Sequence, residues 1–222
     1  MREAITKTDH DAERRRMVEQ QLAYRGIEDA RVLEAMGRVP RHLFVDPAFA
    51  RYAYEDQPLP IGDGQTISQP YIVALMLEAA RIGPDDVVLD IGTGSGYAAA
   101  VTAELAARVV SVERHPSLAA SAERTLDALG YDVKVVTGDG SLGWPEDAPY
   151  DVIIAAATGP GVPDAWLAQL AEGARVVMPV GRAGGAQHLS SFERAADGTL
   201  TEVDLGGVSF VPLVGEQAWP GK

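Results

Sequence analysis

The residues best suited to chemistry form a short glycine-rich segment after an acidic residue. Residues 90–96 read Asp-Ile-Gly-Thr-Gly-Ser-Gly and follow an apolar run. Glycines at such a turn let a ligand approach the backbone closely. A dinucleotide-binding loop would need its third glycine at position 97, where this chain has Tyr97, and no G-x-x-x-x-G-K-[ST] loop for a triphosphate is present. A tight strand–helix turn that binds nothing is the alternative.

A glycine loop with this spacing, preceded by an acidic residue, is typical of S-adenosylmethionine-dependent methyltransferases. Asp90 suits that ligand, because a carboxylate can accept from the cationic methionine end and would repel a pyrophosphate. Glu113, about 20 positions after Gly92, ends the next apolar run and can accept from both ribose hydroxyls. Asp139, followed by Gly140, could accept from the adenine amino group, or could form an ordinary Asp-Gly turn.

A fourth polar segment, Thr-Ile-Ser-Gln-Pro at 66–70, precedes a strongly apolar stretch. Ser68 or Gln69 could cap the helix that this stretch predicts. No acid–histidine pair can be assigned to Ser68, so a serine-hydrolase nucleophile is disfavoured. The chain has no cysteine, and its four histidines form no H-E-x-x-H pair, so we expect no metal site.

Length and composition limit the classes of protein. The chain has 222 residues and a net charge of −13, which argues against a nucleic-acid binder. Residues 1–16 are polar, so we expect no secretory signal, and the longest apolar stretch, 71–77, is far shorter than the roughly 20 residues that span a bilayer. We therefore expect a cytoplasmic monomer that binds neither nucleic acid nor membrane.

From residue 87 onward, strand-like and helix-like segments alternate, which predicts a parallel sheet. The expected strands are 87–91, 109–113, 133–137, 150–156 and 174–180, and the helices between them are 97–107, 116–129 and 163–170. Segments 188–194 and 200–205 flank an Asp-Gly turn and predict an antiparallel hairpin at the edge. Earlier in the chain we expect helices at 9–25, 28–37 and 70–82, with an irregular proline-containing loop over 40–65.

These motifs together resemble the protein-L-isoaspartate(D-aspartate) O-methyltransferase family, from residue 17 to residue 216. The glycine loop is shared with all class I methyltransferases, whereas Thr-Ile-Ser-Gln-Pro and Phe-Val-Pro-Leu at 210–213 are more specific. The other segments that carry the resemblance are 39–41, 44–45, 59–62, 64–65, 112–114, 138–140, 148–151 and 179–181. The loop 157–163 departs from the shorter connection common in the family.

The resemblance implies a Rossmann-like class I α/β fold, with a mostly parallel, doubly wound sheet and an antiparallel C-terminal edge. One domain would comprise a helical and loop extension (1–68), a cofactor-binding core (69–182) and a C-terminal β-ribbon and tail (183–222). The implied cofactor is S-adenosyl-L-methionine, with S-adenosyl-L-homocysteine as its product and no metal. The implied cofactor-binding residues are Ile67, Asp90, Gly92, Gly94, Glu113, Arg114, Asp139 and Gly140.

The implied activity is methylation of the free carboxylate of L-isoaspartyl and D-aspartyl residues in damaged peptides and proteins, which begins repair through a succinimide. Ser68 matches the active-site serine, and we expect Ile61, Phe210 and Val211 beside the substrate, although 210–213 could equally be a core strand. Methylation of ordinary aspartate in a dedicated peptide partner remains an alternative that the motifs do not separate. A non-catalytic adaptor and a small-molecule methyltransferase are disfavoured by the retained motifs.

Overall fold

The computed structural model describes residues 9–182 and 184–220 and contains a seven-stranded sheet in the order β5-β4-β3-β6-β7-β8-β9. Strands β3 to β7 are parallel, and β8 and β9 add an antiparallel edge. The strands of this sheet are β3 (Val87–Ile91), β4 (Arg108–Glu113), β5 (Val133–Thr137), β6 (Tyr150–Ala155), β7 (Leu170–Gly181), β8 (Gln187–Arg194) and β9 (Leu200–Val208). The predicted doubly wound α/β sheet with its antiparallel edge is confirmed.

Helices cover the parallel strands and bury them, which is why those strands read as continuous apolar runs. The helices are α1 (His10–Arg16), α2 (Ala30–Arg38), α3 (Pro70–Ala80), α4 (Tyr97–Ala103), α5 (Pro116–Leu129) and α6 (Asp164–Leu167). Helix α5 and strand β5 have the predicted bounds. No helix in the described part of the chain is long and apolar enough to cross a membrane.

The predicted helix over 9–25 is instead three consecutive pieces. Helix α1 continues as a π-helix over Met17–Leu22 and as a 3₁₀ turn over Ala23–Arg25. The last of these pieces ends at residue 25, the predicted boundary, because Gly26 follows with a φ of 97°, a left-handed conformation that favours glycine.

Two element predictions were wrong. The irregular stretch before Ser68 contains a hairpin of β1 (Leu59–Gly62) and β2 (Gln65–Ile67), which its prolines concealed, since proline is tolerated at a strand edge. The predicted helix 163–170 shrinks to α6, because the chain already pairs with β6 at Leu170. Tertiary pairing overrides the helical propensity of that segment.

Candidate active site

Two adjoining cavities lie at the carboxyl ends of the parallel strands, where open α/β sheets bind ligands. The first cavity has a volume of about 360 Å³ and is lined by the glycine loop, by the residues that follow β4 and by the hairpin β1–β2. The second cavity has a volume of about 870 Å³ and lies beside the start of α3 and the ends of β8 and β9. Thr66, Ala156 and Val211 line both cavities, so the two cavities adjoin at these residues.

Glu113 connects the glycine loop to the start of α5. Its two carboxylate oxygens accept from the backbone N–H of Gly94 and of His115, each at 2.9 Å. The glycines at 92, 94 and 96 have φ values of 93°, 55° and 88°, so the loop needs residues without side chains at these places. Glu113 is 5% exposed and lines the first cavity, where its remaining lone pairs can accept from a ligand.

Asp90 lies behind the glycine loop and is only 2% exposed. Its Oδ2 accepts from the Ser111 hydroxyl at 2.6 Å, and the Ser111 and Thr93 hydroxyl oxygens are also 2.6 Å apart. Asp90 is not among the residues that line the first cavity. Burial, opposed by the Ser111 hydrogen bond, raises the pKa of Asp90 to about 6.

This raised pKa predicts a pH dependence of stability. A carboxyl whose pKa is higher in the folded state than in the unfolded state stabilises the fold when protonated, and this contribution falls as the pH rises from about 4 through about 6. We expect wild type to lose about 2 kcal/mol of unfolding free energy relative to Asp90→Asn between pH 4 and pH 7. Urea denaturation of both proteins across this range measures the difference, and a constant difference would contradict the prediction.

The segment after β5 meets the first cavity through its glycine. Gly140 lines the cavity, whereas Asp139 does not. A Cβ at Gly140 would lie 2.6 Å from Ile91 Cγ2, so the packing excludes a side chain there. Asp139 Oδ1 accepts from the backbone N–H of Ser141 at 2.9 Å and from its hydroxyl at 2.7 Å, and Oδ2 accepts from the N–H of Glu216 at 2.8 Å.

Ser68 lines the second cavity, and a buried arginine holds its backbone. Arg41 is 0% exposed; its Nη2 donates to the Ser68 carbonyl and its Nε to the Ala53 carbonyl, both at 2.8 Å. The Arg41 guanidinium lies 4.8 Å from the centroid of the Tyr97 ring. Burial lowers the pKa of Arg41 to about 10, so the side chain remains charged at neutral pH.

Neither Ser68 nor Gln69 caps helix α3 with its side chain. Gln69 occupies the N-cap position, and Asp56 supplies the acceptor instead: its Oδ1 accepts from the Tyr71 N–H at 3.0 Å. Asp56 Oδ2 also accepts from the Gln69 side chain at 2.7 Å and pairs with Arg25. The Ser68 side chain is therefore not used for helix capping.

The other predicted site residues are distributed among several places. Arg114 lines the first cavity, Phe210 the second and Val211 both. Ile61 lies over Gly94 and lines a separate surface cavity, and Ile67 is buried without lining the first or second cavity. Arg41, Asp56 and Gln187 contribute contacts that the sequence did not predict, because no motif or local pattern marks these contacts.

Comparison with known proteins agrees with this geometry. The model of the protein-L-isoaspartate(D-aspartate) O-methyltransferase family matches residues 12–218. The chain belongs to this family. Protein-L-isoaspartate O-methyltransferase 2 of Marinobacter nauticus is 57% identical over 208 residues, which cover 93% of this chain and 95% of the relative. The protein-L-isoaspartate O-methyltransferase of Brucella anthropi is 52% identical over 205 residues, or 92% of this chain and 94% of the relative.

Solved structures of the family share the fold. A protein-L-isoaspartate O-methyltransferase with 32% identity superposes with a TM-score of 0.82, covering 92% of this chain and 67% of that one. A Plasmodium falciparum protein described as a β-aspartate methyltransferase, in complex with S-adenosyl-L-homocysteine, has a TM-score of 0.78 at 24% identity, covering 94% of this chain and 99% of that one. The shared fold therefore includes more than nine-tenths of this chain.

Proposed function

We propose that this chain is an enzyme that transfers a methyl group from S-adenosyl-L-methionine to the free carboxylate of L-isoaspartyl and D-aspartyl residues in damaged peptides and proteins. The observation that carries the proposal is the pair of adjoining cavities, with a carboxylate-bearing glycine-loop site in one and Ser68 in the other. A donor in the first cavity and an acceptor in the second would meet at the shared wall of Thr66, Ala156 and Val211.

The first cavity fits the methyl donor. Its volume of about 360 Å³ lies within the usual range for small-ligand sites. When bound, S-adenosyl-L-methionine supplies an electrophilic methyl group on a sulfonium. Glu113 would accept from the ribose hydroxyls, while the backbone at Gly92 and Gly94, which carries no side chains, would lie against the amino acid end. Gly140 and Arg114 would complete the cofactor site, with Asp90 holding the loop from behind.

The lining of the second cavity suits recognition of a peptide by uncharged protein groups. Neither Lys, Arg, Asp nor Glu is among the described residues that line it. An isoaspartyl carboxylate has a pKa near ~4 and is ionised at neutral pH, so the enzyme needs no general base. The chain's task is to orient the carboxylate oxygen toward the methyl carbon and to exclude water. We assign this orientation to the Ser68 hydroxyl and nearby backbone N–H groups.

The three parts of the chain would divide this work. The extension 1–68 contributes Thr66 and Ser68 to the second cavity, the core 69–182 contributes Ala156, and the ribbon 183–222 contributes Gln187 and Phe210.

The resulting methyl ester would close to a succinimide by attack of a backbone nitrogen with loss of methanol, without a further catalytic group from the protein. A monomer in the cytoplasm is consistent with this role.

The deciding experiment measures transfer of a labelled methyl group to two peptides that differ only in isoaspartate versus aspartate. We expect labelling of the isoaspartyl peptide alone. Labelling of both peptides, or of the aspartyl peptide alone, would favour methylation of ordinary aspartate in a dedicated partner. Binding of the cofactor without transfer to either peptide would favour a non-catalytic adaptor.

Glu113→Gln tests the proposed ribose contact. The amide keeps the size of the side chain but weakens two charge-assisted hydrogen bonds, so we expect the Kd for S-adenosyl-L-homocysteine to rise roughly tenfold. Titration calorimetry at neutral pH measures this change. Glu123→Gln, an exposed change on α5, is the matched control and should leave the Kd unaltered. A wild-type Kd in Glu113→Gln would place the cofactor elsewhere.

A further inference from the structure

The C-terminal strap, defined here as residues 209–217, lies along both cavities. Phe210 and Val211 line the second cavity, and the stretch 211–214 lines the first. Only Leu213 of these wall residues is deeply buried, at 5% exposure. The strap lies outside the regular strands, so its position depends on the groups that hold it from other parts of the fold.

The middle of the strap is fixed by side-chain and backbone contacts. The Gln187 amide donates to the Phe210 carbonyl at 3.0 Å and accepts from the Phe210 N–H at 2.6 Å. Thr158 donates its N–H to the Val211 carbonyl at 2.8 Å and accepts from the Leu213 N–H at 2.7 Å. These bonds fix the part of the strap that lies between the two cavities.

The far end of the strap is fixed by the Asp139–Ser141 turn. Asp139 Oδ2 accepts from the Glu216 N–H at 2.8 Å, and the Ser141 hydroxyl oxygen accepts from the Gln217 N–H at 3.0 Å. The Ser141 hydroxyl donates in turn to Asp139 Oδ1 at 2.7 Å. Both carboxylate oxygens of Asp139 are therefore already bonded within the protein, and the residue lies behind the wall of the first cavity.

Gly215 shows how closely the strap meets this turn. A Cβ at Gly215 would lie 1.9 Å from Asp139 Oδ1 and 2.3 Å from Ser141 Oγ, distances that no side chain can adopt. The space that an ordinary residue would need is occupied by the turn itself. The glycine that follows the Phe-Val-Pro-Leu motif after one residue is thus required by Asp139 and Ser141.

We propose that Asp139 and Ser141 are positioning residues that clasp residues 215–217 and thereby hold the wall 211–214 against the bound cofactor. This rests on the proposed assignment of S-adenosyl-L-methionine to the first cavity. Asp139 then acts on the cofactor through the strap. The part of the strap that lines the second cavity is held separately, by the contacts at the middle of the strap.

The test compares Gly215→Ala, Ser141→Ala and wild type as full chains. Gly215→Ala leaves the Asp139 carboxylate intact but displaces the strap, and Ser141→Ala removes the bond from Gln217. We expect the Kd for S-adenosyl-L-homocysteine, measured by calorimetry without peptide, to rise about tenfold in each. We expect kcat at saturating donor to stay within about twofold of wild type, because a displaced wall weakens binding without moving Ser68.

Asp197→Asn is the matched control. Asp197 forms the same turn, accepting from the Thr199 N–H at 3.0 Å and hydroxyl at 2.7 Å, but on the exposed β8–β9 hairpin. This variant should leave the Kd unchanged. A double-mutant cycle adds Asp139→Asn to Gly215→Ala. If both changes act through the clasp, the double variant should have a Kd for S-adenosyl-L-homocysteine no higher than that of the weaker-binding single variant.

Wild-type Kd values in both Gly215→Ala and Ser141→Ala would overturn the proposal, even if Asp139→Asn binds weakly, because a direct contact between Asp139 and adenine would then be the explanation. Should Gly215→Ala melt below the assay temperature, Ser141→Ala decides alone. Wild-type protein that binds no S-adenosyl-L-homocysteine would instead refute the cofactor assignment. Failure of the peptide-labelling assay leaves this binding test unaffected, so the two failures are distinguishable.

Discussion

Replacing Ser68 by alanine is expected to lower kcat for an isoaspartyl peptide by about 100-fold, the usual effect of removing one hydrogen-bond donor that orients or stabilises the reacting oxygen. Ser68 lines the second cavity, and its backbone is held by Arg41, so the hydroxyl is lost without movement of the chain. Since Ser68 does not line the first cavity, the Kd for S-adenosyl-L-homocysteine should stay at its wild-type value.

Steady-state kinetics with isoaspartyl peptide and calorimetry with S-adenosyl-L-homocysteine measure the two effects separately. Ser121→Ala, on the exposed face of α5 and outside both cavities, controls for the loss of a serine hydroxyl. An unchanged kcat in Ser68→Ala would remove Ser68 from the mechanism. Weaker binding of S-adenosyl-L-homocysteine together with a normal kcat would assign Ser68 to the first cavity instead.

The second large effect is expected from Arg41→Met. The change leaves the Ala53 and Ser68 carbonyls without their charged donor in a buried place, and each unsatisfied group costs roughly 1–3 kcal/mol. We therefore expect the unfolding free energy at neutral pH to fall by about 3 kcal/mol. We also expect kcat to fall, because the segment that carries Ser68 loses its hydrogen bond to the 3₁₀ turn Arg41–Phe44.

Urea denaturation and peptide kinetics test both parts. Arg41→Lys keeps the charge but cannot reach both carbonyls with a planar fork, so it should recover only part of the stability and of kcat. Arg38→Met is the control, since Arg38 is exposed and pairs with Glu34 and Glu104 at the surface, where such pairs contribute at most about 1 kcal/mol. A wild-type kcat and stability in Arg41→Met would contradict the anchoring role.

The local sequence pattern was sufficient to predict those helices and strands that depend mainly on residues near in sequence. The apolar run 87–91 and the glycine loop after it predicted a strand, a turn and a helix, because period and glycine spacing express local backbone requirements. The bounds of α5 follow in the same way from Pro116 at its first position and Gly130 at its end. Motif spacing likewise predicted that Glu113 and Gly140 would line one cavity.

Contacts between distant segments could not be predicted in this way. The sequence does not show that Arg41 bonds to the Ser68 carbonyl, because the bond joins two residues 27 positions apart that meet only in the folded chain. Nor does it show that both oxygens of Asp139 are taken by the C-terminal strap, since residues 139 and 216 meet only after the sheet has formed. Hydrogen bonds between segments 27 and 77 residues apart depend on tertiary packing, which the chain's local pattern does not encode.

The sequence by itself determined the sheet, the glycine loop and the family, because strand period, glycine spacing and contiguous motifs are local properties of the chain. The tertiary structure alone decided which polar groups face the cavities and which are used to hold the walls. Asp90, Asp139 and Glu113 each carry a carboxylate that accepts from donors within the protein, but of these three only Glu113 lines the first cavity. The role of a carboxylate therefore depends on where folding places it relative to the cavity.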